Sequence, residues 1–147
     1  MKRLRKKDLE FIHRVLEMDE RQIIKDSFRS RLRHGERWMG RAALQEVAEA
    51  NGLSFEELVG RALGVDPDLL QRIDVSQAIA KYIGLRRWQE VKEVSKPTYW
   101  TWVHGRWPRY PKLLAVAKHL GMDNATDMMR AAIQHAAQEQ EASQNAA

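Results

Sequence analysis

Apolar residues recur along this chain at spacings of three and four, and strict apolar–polar alternation is nearly absent, so helices are predicted almost throughout. Ile12, Val15 and Leu16 share one face of a helix predicted over 9–18, which Asp8 can cap. Ile23, Ile24, Phe28 and Leu32 stripe a second helix, capped by Asp19 and stopped by Gly35. A third, over about 36–51, turns Trp38, Leu44 and Val47 inward and ends at Gly52. Ser54 and Glu57 then form a capping box, each side chain taking the other's backbone N–H, with Leu53 and Leu58 as the accompanying staple. Asp66-Pro67 is an N-cap followed by proline at the first helical position. The predicted fold class is all-α: a compact multi-helix protein.

Two stretches read as helix-turn-helix units. The first runs from a helix over 56–63 through a Gly64-Val65 turn to a helix over 67–73. It places Val59, Leu63, Val65, Leu70 and Ile73 inward, with Gly60 where the helices approach closely. Its outer face carries Asp66, Asp68 and Gln71 with only Arg72. Carboxylates repel phosphate and read only cytosine N4 favourably, so this unit is expected to be structural or to contact protein.

The second unit centres on residues 95–105. Ser95 is an N-cap, Pro97 lies in the first turn, and Gly105 ends the helix. Tyr99 and Trp102, three apart, turn inward onto a preceding helix predicted over 85–93 by Leu85, Trp88 and Val91, with Val94 beside them. Ser95, Lys96, Pro97, Trp100 and Thr101 are left outward, where a groove-inserted helix presents its N-terminal residues to base edges. Lys96 and Thr101 are expected to read bases, and Trp100 to contact thymine methyls or the sugar edge. Leu113, Leu114, Val116, Ala117 and Leu120 stripe a following helix that Gly121 closes.

Charge sharpens the picture because it is uneven. The net charge of +5 conceals a segment, 76–122, with nine Lys/Arg against two Asp/Glu. Residues 1–35 carry eleven against six, 36–75 four against eight, and 123–147 one against four. The basic segment coincides with the second unit, as expected of a phosphate-binding surface. Arg86, Arg87, His104, Arg106, Arg109 and Lys112 are the expected phosphate contacts.

Read without gaps from Ile83-Gly84 to Leu113-Leu-Ala-Val116, the segment resembles the CII family of phage activators, headed by that of phage lambda. The landmarks are Ile83-Gly84, Val94-Ser95-Lys96, Trp102, and Trp107-Pro-Arg-Tyr-Pro-Lys-Leu-Leu-Ala-Val116. A broader likeness to Cro/repressor-type domains shows in Thr98, Trp102 and Gly105, and in Leu114, Ala117 and Leu120-Gly121. The chain departs from the usual pattern with Glu93 at the turn glycine, Gln89 at a small residue and Lys92 at an apolar one. Over residues 75–135, the resemblance implies a sequence-specific, oligomeric transcription activator from a phage or mobile element that touches RNA polymerase.

The expected organisation is an N-terminal helical region, 1–74, with a degenerate helix-turn-helix. A DNA-binding domain with a tail helix occupies 75–137, and 138–147 is a fraying tail. The tail helix, capped by Asn124, carries Met128, Met129, Ala132, Ile133 and Ala136. These either close the domain or, with Met128, Met129 and Ile133 as anchors, join copies into the dimer or tetramer that the resemblance implies.

Other chemistry is not visible. Cysteine is absent, which excludes disulfides and thiolate metal sites. His13, His34, His104, His119 and His135 lack metal-ligand spacing, so no metal is expected. No phosphate loop, dinucleotide fingerprint or nucleophile–base pair appears, and neither enzyme activity nor a cofactor is expected. No apolar run approaches the ~20 residues of a membrane span. The basic residues at 2–7 are not followed by the apolar stretch of a secretory signal, so a cytoplasmic location is expected. Tyr99, Trp100, Trp102, Trp107 and Tyr110 could suggest base stacking on single strands, but no sheet platform is predicted to display them. Two alternatives stay open: a repressor or anti-activator of the same class, and a protein–protein adaptor built on helix-turn-helix scaffolds.

Overall fold

Helix is the regular structure throughout the computed structural model, which describes residues 9–18, 24–34 and 38–145, with residues 85–87 described by backbone only. No strand occurs among the described residues, so the fold is all-α. The chain divides into two compact units, Met1–Pro67 and Asp68–Ala147.

The first unit contains α1 (Glu10–Met18), α2 (Asp26–Arg33), α3 (Arg41–Ala50) and α4 (Phe55–Leu63). Helix α1 packs against the other three, and α3 packs against α4. Phe11, Ile12, Val15 and Leu16 are buried on α1, which is the predicted face extended by one aromatic. Each such side chain contributes about 1.5–3 kcal/mol on burial. Arginines tie the helices through carbonyls that helix ends leave unpaired. Arg14 donates to Ala62 O at 3.1 Å and to Glu10 at 2.7 Å, and Arg29 donates to Leu16 O at 2.9 Å. The expected caps at Asp8 and Asp19, the stop at Gly35, and Ile23 lie outside the described residues.

The third helix starts later than its apolar pattern predicts. Residues 38–40 are non-helical, Gly40 is the N-cap in an extended conformation, and Met39 is fully buried. Periodicity alone cannot tell a helical turn from an extended segment whose side chains also pack, as Trp38 does on Phe11 at 5.2 Å. The capping box at α4 is present in both directions, Glu57 N–H to Ser54 Oγ and Ser54 N–H to Glu57 Oε1, each at 3.1 Å. Gly60 sits at the close approach expected of it. A Cβ there would lie 3.0 Å from Val65 O and 3.1 Å from the Pro67 ring.

Helix α5 (Pro67–Arg72) leads into the second unit, built from α6 (Val75–Arg87), a 3-10 turn (Trp88–Glu90), α7 (Lys96–Val103), α8 (Tyr110–His119) and α9 (Ala125–Asn145). Helix α6 packs against α7, α9 and the 3-10 turn, and α8 packs against α9. Asp74 caps α6, its carboxylate accepting from Gln77 N–H at 3.0 Å and from the Ser76 hydroxyl. Gly84, at φ 76° and ψ 157°, interrupts α6 in a conformation that costs other residues dearly.

The single helix predicted over 85–93 does not form as one element. Beyond Gly84 the chain makes one helical turn, then the 3-10 turn, then a connection through Val91 and Val94, both buried. The last helix also differs from expectation, running to Asn145 and past the residue, 138, at which fraying is predicted. Gln140 Nε2 donates to Arg72 O at 3.1 Å and Lys81 pairs with Glu139 at 3.1 Å, which together tether this end. Asn124 caps α9 as predicted, accepting from Asp127 N–H at 2.8 Å.

Two outcomes test this packing. Met128→Ala, at a fully buried site on α9, is expected to destabilise the second unit by about 2–5 kcal/mol in urea unfolding. A loss below about 1 kcal/mol would show that α9 does not carry the core. At Glu57, the hydrogen bonds from the Ser54 backbone and hydroxyl hold the carboxyl below its ordinary value of 4.5. A lowered folded value means stability that is present above about 4.5 and lost as pH falls through the folded value. The stability deficit of Glu57→Ala relative to the natural chain should therefore be present at neutral pH and shrink on acidification. A deficit independent of pH would contradict the capping role.

Candidate nucleic-acid interface

Helix α7 is short, and its position rests on two aromatic side chains. Ser95 caps it, with Oγ accepting from Thr98 N–H at 3.3 Å and lying 2.9 Å from Thr98 Oγ. Pro97 occupies the first turn. Tyr99 and Trp102 are buried, at 6% and 2% exposure, and Tyr99 Oη donates to Ala80 O of α6 at 3.2 Å. Half-buried Trp88 stacks on Tyr99, with ring centroids 5.1 Å apart and planes 14° from parallel. Trp88, Val94, Tyr99 and Trp102 thus form the inner side predicted for them.

The far end of α7 closes with Gly105 at φ 92°, and Arg106 N–H bonds back to Thr101 O at 2.9 Å. Residues 106–109 then lead into α8, where Pro108 and Tyr110 are buried and Arg106 and Arg109 are exposed. His119, at the end of α8, pairs with Glu90 of the 3-10 turn at 3.1 Å and ties the segment before α7 to the helix after it.

The predicted outward residues do not all stand equally free. Ser95, Lys96, Pro97 and Trp100 are exposed. Thr101 is only half-exposed, and its hydroxyl donates to Thr98 O at 2.6 Å, which turns that proton away from any ligand. Trp100 is 49% exposed and stacks on His104, with centroids 5.7 Å apart and planes at 19°.

Among the expected phosphate contacts, His104, Arg106 and Arg109 are exposed and Lys112 is half-buried. The side chains of Arg86 and Arg87 lie outside the described residues. Glu93 and Lys92, the departures from the family pattern at the turn, are both exposed, so neither has to be accommodated in a core.

Of the two roles expected for the tail helix, closing the domain and joining copies, the burial of its anchors fits the first. Met128, Met129 and Ile133 are fully buried on α9, the helix that packs against α6 and α8. Their apolar area is already used within one chain, so a contact between copies has to use other residues.

Several features escaped the sequence reading. The cap at Asp74 and the Ile79–Ile83 spacing were available signals for α6. The Trp100–His104 plate had one too, the four-residue spacing on a predicted helix, whereas the Glu90–His119 pair had none, because it depends on where two separate elements end. Among the described residues, no group of three or more His, Asp or Glu could hold a metal ion, and no helix is long and apolar enough to cross a membrane. No protein-family model, curated protein or solved structure matches the chain.

The Tyr99 bond is open to direct test. Tyr99→Phe should cost about 1 kcal/mol, the net worth of one hydrogen bond, while keeping the ring stack. Burial pushes the Tyr99 hydroxyl above its ordinary value of 10.0. The neutral form is thus favoured by folding, and stability should fall as pH rises beyond about 10. Tyr99→Phe should blunt that alkaline loss, and an identical alkaline profile in the variant would rule the hydroxyl out as its source.

Proposed function

We propose that the second unit is a sequence-specific double-stranded DNA-binding module of a transcriptional regulator. In this reading the turn at 85–90, the connection at 91–95 and α7 act as a helix-turn-helix, with α7 as the recognition helix. The observation that carries it is the two-sidedness of α7. Tyr99 and Trp102 are buried on one side, while Lys96, Pro97 and Trp100 are exposed, with the exposed Arg106 and Arg109 just beyond. An eight-residue helix is about 12 Å long and fits a major groove of similar width. Exposed cations flanking it suit phosphates on either side, and two carboxylates among residues 76–122 leave little repulsion.

The resemblance to the CII family extends the proposal to an activator from a phage or mobile element that contacts RNA polymerase. The acidic stretch 36–75, ill suited to phosphate, is the natural place for contact with protein. Pairing of half-sites by a dimer or tetramer, with repeats ~10 bp apart, belongs to the same proposal. Its contact surface would lie outside the buried face of α9. A repressor of the same class would bind DNA identically and differ only in where its operator lies.

Gel shifts across a salt series test the reading. Arg106→Ala and Arg109→Ala should each weaken binding to all duplexes and reduce the salt slope by ~1. Lys96→Ala should cost about 1–3 kcal/mol on a selected duplex and much less on random DNA. Binding that is absent at low salt, or a slope unchanged by both arginine substitutions, would overturn the proposal and favour an adaptor.

A further inference from the structure

The outer side of α7 is poor in free hydrogen-bond donors. The hydroxyls of Ser95, Thr98 and Thr101 bond to one another or to the backbone of their own helix, and Pro97 has no N–H. Lys96 remains as a charged donor. The other exposed feature is a ring pair, Trp100 stacked on His104 one helical turn later. Trp100 is the one large hydrophobic side chain that is exposed among the described residues, and it stands within the most basic segment of the chain. The stack on His104 orders the indole before any ligand arrives, which lowers the entropy lost on binding.

Beyond the indole N–H and the imidazole nitrogens, most of the surface of this plate is apolar and meets bases by packing rather than by hydrogen bonds. In the major groove the apolar feature it can meet is the 5-methyl group of thymine. We infer that Trp100, held in place by His104, is a specificity-determining residue that packs on thymine 5-methyl groups, so that duplexes preferred by this protein carry thymine opposite the middle of α7. This rests on the DNA-binding reading above and adds to it the chemical feature being read. A 5-methylcytosine at the same position presents the same methyl group and should be accepted in part.

The test uses the full chain and a duplex selected by it from a random pool. Each thymine is replaced singly by deoxyuridine, which removes the methyl and nothing else. At one or two positions the natural chain should lose about fourfold in affinity, the worth of one buried methyl. Trp100→Ala should bind the thymine and uracil duplexes equally. Trp100→Leu should keep part of the difference, because it remains apolar. Lys96→Ala should weaken binding while preserving the difference. Because Trp100 is half-exposed, helicity by circular dichroism should be unchanged in its variants. If no position responds to methyl removal, or if Trp100→Ala keeps the full response, the inference is overturned while DNA binding stands. If the pool yields no enriched duplex, or single strands bind more tightly, the DNA-binding reading fails and takes this inference with it.

Discussion

The second unit depends on the contact between α6 and α9. Ile79 and Ile83 of α6, and Met128, Met129 and Ile133 of α9, are at or near zero exposure, and the same α6 receives α7 on another side. Helix α7 is too short to be stable alone, since a nucleus costs more than eight residues return. It exists because Tyr99 and Trp102 have somewhere to go. Anything that loosened α9 would move the surface on which those rings rest.

Gly84 sets the second constraint. By breaking α6 it lets the chain turn and lay Trp88 over Tyr99, so that a half-buried indole closes the inner side of α7. Without a positive φ at this point the helix would run on, carrying Trp88 to another face. The Glu90–His119 pair then joins the far side of the turn to α8. A single exposed side-chain contact contributes little stability, and its consequence here is geometric.

Helix α7 divides its side chains by chemistry as well as by direction. Its large rings at 99 and 102 supply buried area, its hydroxyls satisfy the helix itself, and Lys96, Trp100 and the cations beyond Gly105 face outward. The first unit is held by other means. Arg14 and Arg29 there donate to carbonyls of neighbouring helices, and its capping box holds α4 through hydrogen bonds local to the chain.

Local interactions were legible in the sequence. The caps at Ser54, Ser95 and Asn124 act over three residues, and the inward direction of Tyr99 and Trp102 comes from helical periodicity. The all-α class comes from the same periodicity. Tertiary structure decided what periodicity cannot encode. It made residues 38–40 non-helical although Trp38 fits a helical stripe, and split 85–93, where Leu85, Trp88 and Val91 predict one helix, into a helical turn, a 3-10 turn and a connection. It buried the α9 methionines within one chain, and tethered 138–145 through Arg72 and Lys81. Each of these outcomes depends on a partner distant in sequence. An apolar stripe specifies that a face must be covered, and only the packed chain specifies by what.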